Sequence, residues 1–237
     1  MRHAAKLVAV ALLGILLAAA CAKSQVRGLQ TSSESVALGD AEAVSAKLKM
    51  AAGDVTVGGG ADGLMEADFV YNVADWQPEV SYDDVGSEMG TLSVEQPDKN
   101  TGMRNDDRNE WDIHLNDGVP TDLHAVMGAG ESDLDLSSLT LTGLDLKVGA
   151  GPSTVDLAGD WDRDVDASIQ SGAGAATVRL PSQMGVRVDV TGGLGKVQAE
   201  GLSRDGDAYV NDAYGESEET LNVDIEGGVG LVKLKVV

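Results

Sequence analysis

Six times along the 237-residue chain a glycine-marked corner stands between two short runs of alternating apolar residues. The corners are Ala51-Ala52-Gly53, Gly128-Ala129-Gly130, Gly149-Ala150-Gly151, Gly172-Ala173-Gly174, Gly193-Leu194-Gly195 and Gly228-Val229-Gly230. The third follows Leu144, Leu146 and Val148 and precedes Val155 and Leu157. A β-strand alternates its side chains between two faces with period 2, so an odd offset between apolar positions reverses their facing. From Ala129 to Leu134, Ala150 to Val155 and Ala173 to Val178 the offset is five; from Ala52 to Val55, Leu194 to Val197 and Val229 to Val232 it is three. A straight strand cannot hold both apolar sets on one buried face across such a shift. A corner can, and glycine tolerates the positive φ or close backbone approach that corners need. Each unit therefore reads as strand, sharp corner, strand, with apolar side chains inward on both arms.

The second corner glycines Gly130, Gly151, Gly174, Gly195 and Gly230 are separated by 21, 23, 21 and 35 residues. Near-constant steps suit the coils of a stacked or solenoid-like β domain, here of about 21 residues per repeat, in which each unit buries its apolar face against its neighbours. The predicted fold class is all-β, after a helical signal peptide. Residues 37–125 form a less regular N-terminal β region, with alternation over Val44–Met50, Met65–Tyr71 and Trp111–Leu115 and a hairpin across Glu79–Glu95. Residues 126–237 hold the glycine-cornered repeats. Trp76, Trp111 and Trp161 are expected to cap the ends of the core.

The amino terminus carries a positive segment (Arg2, Lys6), an apolar run from Leu7 to Ala20 and small residues before Cys21. That is the pattern of a signal peptide, too short for a comfortable membrane span. Ala18-Ala19-Ala20-Cys21 resembles a bacterial lipobox, and Cys21, the sole cysteine, has no intramolecular disulfide partner. The reading is a lipoprotein signal over 1–20, acylation (palmitate) at Cys21, a short tether over 21–36, and a membrane-anchored envelope protein. Ala22 in place of an Asp after the cysteine favours the outer membrane in a Gram-negative organism.

Removing Arg2 and Lys6 leaves 15 basic side chains against 39 acidic ones, a net charge of −24 for the processed chain. Such a charge opposes nucleic-acid binding, keeps a β-rich protein soluble, and suits a basic partner.

Chemistry-bearing motifs are sparse. His114 and His124 lie beside inward-facing Ile113, Leu115 and Leu123, so both rings are expected to face outward, and no third His or Cys completes a zinc site. Asp160, Asp162, Asp164 and Asp166 alternate as on one strand face, the pattern of a solvated face or, less simply, of a carboxylate pair. The long last step holds a polar insertion, Ser203–Glu216, read as an acidic loop. Within it Asp205, Asp207 and Asp212, next to Asn211, are weak calcium candidates lacking EF-hand spacing. Tyr209 and Tyr214 among these acids are the candidates for contact with a partner. No cofactor is indicated.

The strings Trp111-Asp-Ile-His-Leu-Asn, Val119-Pro-Thr-Asp-Leu123, Gly128-Ala-Gly130, Leu134-Asp-Leu-Ser-Ser-Leu139 and Val148-Gly-Ala-Gly151 resemble the bacterial toast-rack family, as do Met65–Asn72, Trp76 and Pro78–Val80. That family is similar to the C-terminal domain of LiaF-type envelope-stress proteins and to β-solenoid adhesins. The resemblance covers roughly residues 37–237 and implies stacked β-repeats without established enzyme chemistry. The expected function is a non-catalytic interaction or structural module of the cell envelope. The alternatives are a polysaccharide-binding or polysaccharide-cleaving β-solenoid, disfavoured by only eight aromatic residues, and a calcium-dependent surface adhesin.

Overall fold

The computed structural model describes residues 28–84, 88–98, 106–193 and 195–237. Among them seventeen strands form one continuous sheet. They are β1 (Gln30–Val36), β2 (Ala43–Ala52), β3 (Asp54–Gly58), β4 (Met65–Tyr71), β5 (Glu79–Asp83), β6 (Met89–Glu95), β7 (Asn109–Leu115), β8 (Thr121–Ala129) and β9 (Ser132–Asp135), followed by β10 (Leu141–Ala150), β11 (Ser153–Asp156), β12 (Val165–Leu180), β13 (Gly185–Gly192), β14 (Lys196–Glu200), β15 (Ser203–Asp205), β16 (Ala208–Val210) and β17 (Thr220–Val236). The only helical element among the described residues is a 3-10 turn at Ala74–Trp76.

The all-β, repeated architecture is the one expected. Each layer is a bent strand pair, or in β12 and β17 one strand running through the corner. Parallel pairing sets the layers in the order β6/β7, β2/β3, β8/β9, β10/β11, β12, β17, β13/β14. The stack is thus not assembled in chain order. β2/β3 lies between β6/β7 and β8/β9, and β17, the last strand, slides between β12 and β13/β14. Antiparallel strands cover the ends: β5 on β6, β4 and then β1 on β7, and β16 and then β15 on β13. The boundary read at 125/126 falls inside β8.

Register produces rows of apolar side chains through the stack. One row on the first arm is Val94, Leu48, Ala125, Leu146, Ile169, Ile225 and Val190. Its counterpart on the second arm is Ile113, Val57, Leu134, Val155, Val178, Leu234 and Ala199. Every member is at most 1% exposed except Val190 and Ala199 in the last layer, which are only partly buried. The odd offsets found in the sequence are what bring both rows inside.

At the corners Gly53, Gly130, Gly151, Gly174 and Gly230 have φ between 131° and 149°. Their N–H groups continue the ladder through the bend, as in Gly151 N–H to Ala173 O at 2.9 Å. A Cβ on Gly151 would stand 1.9 Å from the carbonyl oxygen of Gly130. Both the backbone angle and the stacking distance therefore demand glycine. The fifth corner differs from expectation: its positive φ falls on Gly192 (106°), not Gly195, and Leu194 lies outside the described residues.

Two further expectations are corrected. Residues 30–36 of the presumed tether form β1, because each residue from Gln30 to Val36 finds an antiparallel partner on β4. Asp160, Asp162 and Asp164 do not share a strand face. Residues 157–164 form the crossing from the second arm back to the first, held by buried Trp161, whose Nε1 donates to Leu139 O at 2.7 Å. Only Asp166 lies on a strand.

Candidate interaction surface at the ends of the stack

The Ser203–Glu216 insertion is a folded cap. β15 and β16 form a hairpin pairing Asp205 with Ala208, Arg204 with Tyr209 and Ser203 with Val210, around Gly206 at φ 62°. β16 lies against β13 (Arg187 with Val210, Val188 with Tyr209), and Ala208 and Val210 turn inward and are buried. The chain then turns at Asn211, a buried side chain with every polar atom engaged. Its Oδ1 accepts from Val186 N–H (2.9 Å), and its Nδ2 donates to Met184 O (2.7 Å) and Pro181 O (3.1 Å). Asn211 is therefore a clamp joining cap to stack, not a ligand beside Asp212. Ser217 Oγ accepts from Gly185 N–H at 2.7 Å and completes the attachment. Buried polar groups are tolerated when fully bonded, which explains why so polar a segment folds against the core.

The tyrosines meet cations of their own chain rather than the acids beside them in sequence. The Arg204 guanidinium sits 4.8 Å from the Tyr209 ring centroid, and its Nη2 donates to the Tyr209 hydroxyl at 2.8 Å. Tyr214 lies beside Arg187, whose Nε and Nη2 donate to Asp189 at 2.9 and 3.1 Å. Asp189 first, then Tyr214, hold that guanidinium above its ordinary range. Tyr209 and Tyr214 are half-buried, and Asp205, Asp207 and Asp212 are exposed. No group of three or more His, Cys, Asp or Glu among the described residues is arranged to hold a metal ion, so the three calcium candidates are not brought together.

Elsewhere polar side chains bond to the backbone or to one another. Asp164 Oδ1 accepts from Thr220 N–H at 2.8 Å, and Asp166 Oδ1 from Asn222 Nδ2 at 3.0 Å, so the carboxylates once aligned in sequence hold neighbouring layers. His114 and His124 face outward as expected, the first with Nδ1 2.9 Å from Gly59 O, the second with Nε2 3.1 Å from Asp122 Oδ2. Cys21 lies outside the described residues.

Sequence reasoning missed the polar lock at the opposite end. Among the described residues of the β6/β7 layer no glycine stands at the corner between the arms. Gln96 and Asn109 bond to the neighbouring corner: Gln96 Oε1 accepts from Ala51 N–H (3.0 Å) and Asn109 Nδ2 (3.2 Å), while Asn109 Nδ2 also donates to Ala52 O (2.7 Å). Trp111 Nε1 donates to Asn109 Oδ1 at 3.0 Å, and the Trp111 ring meets Phe69 edge-on at 5.5 Å. Both amides are at most 5% exposed. The signal was present as parity: Gln96 continues the inward series Leu92, Val94, and Asn109 begins the series Trp111, Ile113, Leu115.

No curated protein matches the chain. A candidate cell adhesion protein from Clostridium sporogenes is 33% identical and superposes with a TM-score of 0.85, over 88% of this chain and 100% of that one. A candidate adhesin from Bacteroides fragilis is far more distant, at 15% identity and a TM-score of 0.33 over 88% of this chain and 97% of its own. The family described as the N-terminal domain of toast_rack, DUF2154, matches residues 25–179, from before β1 to Arg179 within β12. With that match across most of the bent-strand stack, the chain belongs to the toast-rack family.

Proposed function

We propose that the protein is a non-catalytic interaction module of the bacterial cell envelope, anchored by acylation of Cys21 and contacting a basic envelope partner through the β15/β16 cap. The observation that carries this reading is the cap itself. It is an ordered projection at the end of the stack opposite β1, rimmed by the exposed carboxylates of Asp205, Asp207 and Asp212 and seated by Asn211. Eight residues separate Cys21 from Gln30, a reach of at most about 30 Å. From β1 to β14 there are eight strand spacings, about 38 Å in all. An anchor at Cys21 therefore keeps β1 near the membrane and presents the cap away from it. The Clostridium sporogenes relative, a candidate cell adhesion protein, supports a place at the surface.

The test has two arms. Cells expressing wild type or Cys21→Ser are labelled with a clickable palmitate analogue and fractionated; the reading requires that label and membrane association depend on Cys21, and equal labelling overturns it. For the cap, Asp205, Asp207 and Asp212 are changed together to Lys, leaving Asn211, Ala208 and Val210 intact. Crosslinking from membranes should lose the partners recovered with wild type, and the wild-type contact should itself weaken as salt rises past about 0.15 M, where the Debye length is about 8 Å. Undiminished recovery removes the cap from the interface. Turnover of a polysaccharide by the purified protein, or a melting temperature that falls on adding EDTA, overturns the reading in favour of an enzyme or a calcium-dependent adhesin.

A further inference from the structure

The outer faces of the two arms carry their charges differently. On the first arm Lys47, Lys49, Lys147 and Arg187 each pair with a carboxylate of their own chain, at 2.7–3.1 Å. On the second arm the charges are segregated along the stack. Parallel register runs outward-facing rows of side chains across β3, β9, β11, the second-arm halves of β12 and β17, and β14. The β3, β9 and β11 layers bear Asp54, Glu131, Asp133, Asp135 and Asp156 on this face, with no Lys or Arg. The β12, β17 and β14 layers bear Arg179, Lys233, Lys235 and Lys196, with Glu200 the one acid. In a chain with 17 basic residues against 39 acidic ones, four cations on one half-face are a concentration. Arg179 reaches Asp156 at 3.2 Å and Lys233 has a 3.6 Å contact with Glu200, but Lys196 and Lys235 have no ion pair among the described residues.

This pattern is self-complementary under one operation, a two-fold axis lying against the face, along the strands, between β11 and β12. The operation keeps each row and reverses the layers, so β11 of one copy faces β12 of the other, β9 faces β17, and β3 faces β14. Asp133 then meets Lys233, Asp135 meets Lys235, Asp54 meets Lys196 and Asp156 meets Arg179, each pair occurring twice. Thr154 meets Thr177 at the centre, and Glu200 comes opposite Gly58. No like charges meet. An axis on β11 or on β12 instead would set Asp156 or Arg179 against itself. The face is also accessible. The β15/β16 cap lengthens the first arm through β13, behind this face, and stands clear of the second copy. β7, β4 and β1 run on past the second copy's β14, so the further acids Glu110, Asp112, Glu66 and Asp68 oppose no strand of it.

We infer that the outer face of the second arm is a homodimer interface, on which two copies of this chain pack face to face with their stacks antiparallel. Six strands about 4.8 Å apart and about 15 Å long give a flat contact of roughly 430 Å² per copy. That falls below the roughly 1,200 Å² total of stable complexes, so the dimer is weak and reversible in solution. Ion pairs between exposed side chains add little each, and the charge pattern sets register and orientation more than strength. Many copies on one surface act together and raise the effective affinity. With the anchor proposed above, and resting on it in this clause alone, the antiparallel pair points its two lipid ends in opposite directions and joins copies on two facing surfaces.

The test uses the full-length chain with Cys21→Ser, which carries neither an acyl group nor a thiol. This parent should sediment as a monomer–dimer equilibrium with a dissociation constant below about 1 mM. A chain that stays monomeric to millimolar concentration overturns the inference. Two charge variants follow, Lys233→Glu with Lys235→Glu, and Asp133→Lys with Asp135→Lys. Each creates four like-charged pairs in its own dimer and should weaken association at least about tenfold. Mixed together, the two variants again oppose unlike charges at all of these positions. The mixture should therefore dimerise within about threefold of the parent, although both variants keep a large negative net charge and have no general attraction for each other. Variants that associate like the parent, or a mixture no better than its components, overturn the inference. Thr154→Cys then reads the register. Across faces about 10 Å apart its two thiols come within reach of a short bismaleimide, and Gln170→Cys on the outer face of the first arm is the control. Equal crosslinking of the two overturns the inference. Circular dichroism melts check that each variant keeps its fold. Membrane fractionation of Cys21 variants reports on the anchor alone, so that reading can fail while this one stands.

Discussion

The two ends of the stack solve one problem differently. At the β6/β7 end three antiparallel strands, β5, β4 and β1, cover both arms, and the side chains of Gln96 and Asn109, with Trp111 behind them, bond to the neighbouring corner at Ala51 and Ala52. At the β13/β14 end a short hairpin covers part of one arm, Asn211 is the clamp, and β14 is left with a bare edge. Exposure follows: Val94 and Ile113 at the first end are fully buried, whereas Val190 and Ala199 at the second are not. A repeat stack needs capping units because each layer covers only its neighbours. Here one end is sealed and the other is left able to meet something.

The largest effect should come from the corners. Gly151→Val places a side chain at φ 131°, with its Cβ 1.9 Å from a backbone oxygen of the layer below. The carbonyl belongs to a ladder and cannot retreat, so destabilisation of about 3 kcal/mol or more is expected in chemical unfolding. Gly195→Ala in the last layer has ordinary backbone angles and a Cβ 3.0 Å from Gly230 O, with no layer beyond it. Its cost should stay below about 1 kcal/mol. Equal losses would mean that the last corner is as constrained as the middle ones.

The two amide clamps sharpen the contrast. Asn109→Ala strands Trp111 Nε1 and Ala52 O inside a sealed end, and the whole molecule should lose about 2–3 kcal/mol with a lower melting temperature. Asn211→Ala strands Val186 N–H and Met184 O in an end that can open by itself. The expected outcome is rapid amide exchange in β13 and β16 with a smaller shift in global melting. Matched drops in melting temperature would erase the distinction between the ends.

The smallest effect is electrostatic and belongs to the sealed end. Lys47 Nζ lies 2.7 Å from Glu95 Oε1, and that bond first, with one from Ser93, holds the Glu95 carboxyl below its ordinary value of 4.5. A folded pKa below the unfolded one stabilises fully above the unfolded value and is lost as pH falls through the folded value. Lys47→Met should therefore lower stability by a few tenths of a kcal/mol near pH 6, as the pair is substantially exposed. The gap should close below the folded pKa in melts taken toward pH 2.5. A gap constant with pH would assign the effect to packing.

Much of the stack was legible because parity is a local property. The odd offsets around Ala129, Ala150 and Ala173 require a bend wherever both apolar sets are buried, and the bends are there. The hairpin across Glu79–Glu95 and the outward histidines follow from the same alternation. Residues 157–164 misled it, since Asp160, Asp162 and Asp164 alternate by chance in a crossing held by Trp161. The cap misled it too: proximity in sequence placed Tyr209 and Tyr214 among carboxylates, but the chain folds both against arginines.

By itself the sequence determined the period, the corners and the inward face of each strand, because steric demands on glycine and the two-residue repeat of a strand act within a few residues. Tertiary structure alone decided the order of the layers. Nothing local tells β17 to enter between β12 and β13/β14 or tells β2/β3 to lie inside β6/β7, because strands of the same period and facing compete for the same sites. Only the joint satisfaction of all the ladders, and of Gln96, Asn109 and Asn211 at the ends, selects one arrangement. That selection also settled which edge is sealed and which, β14, is left free.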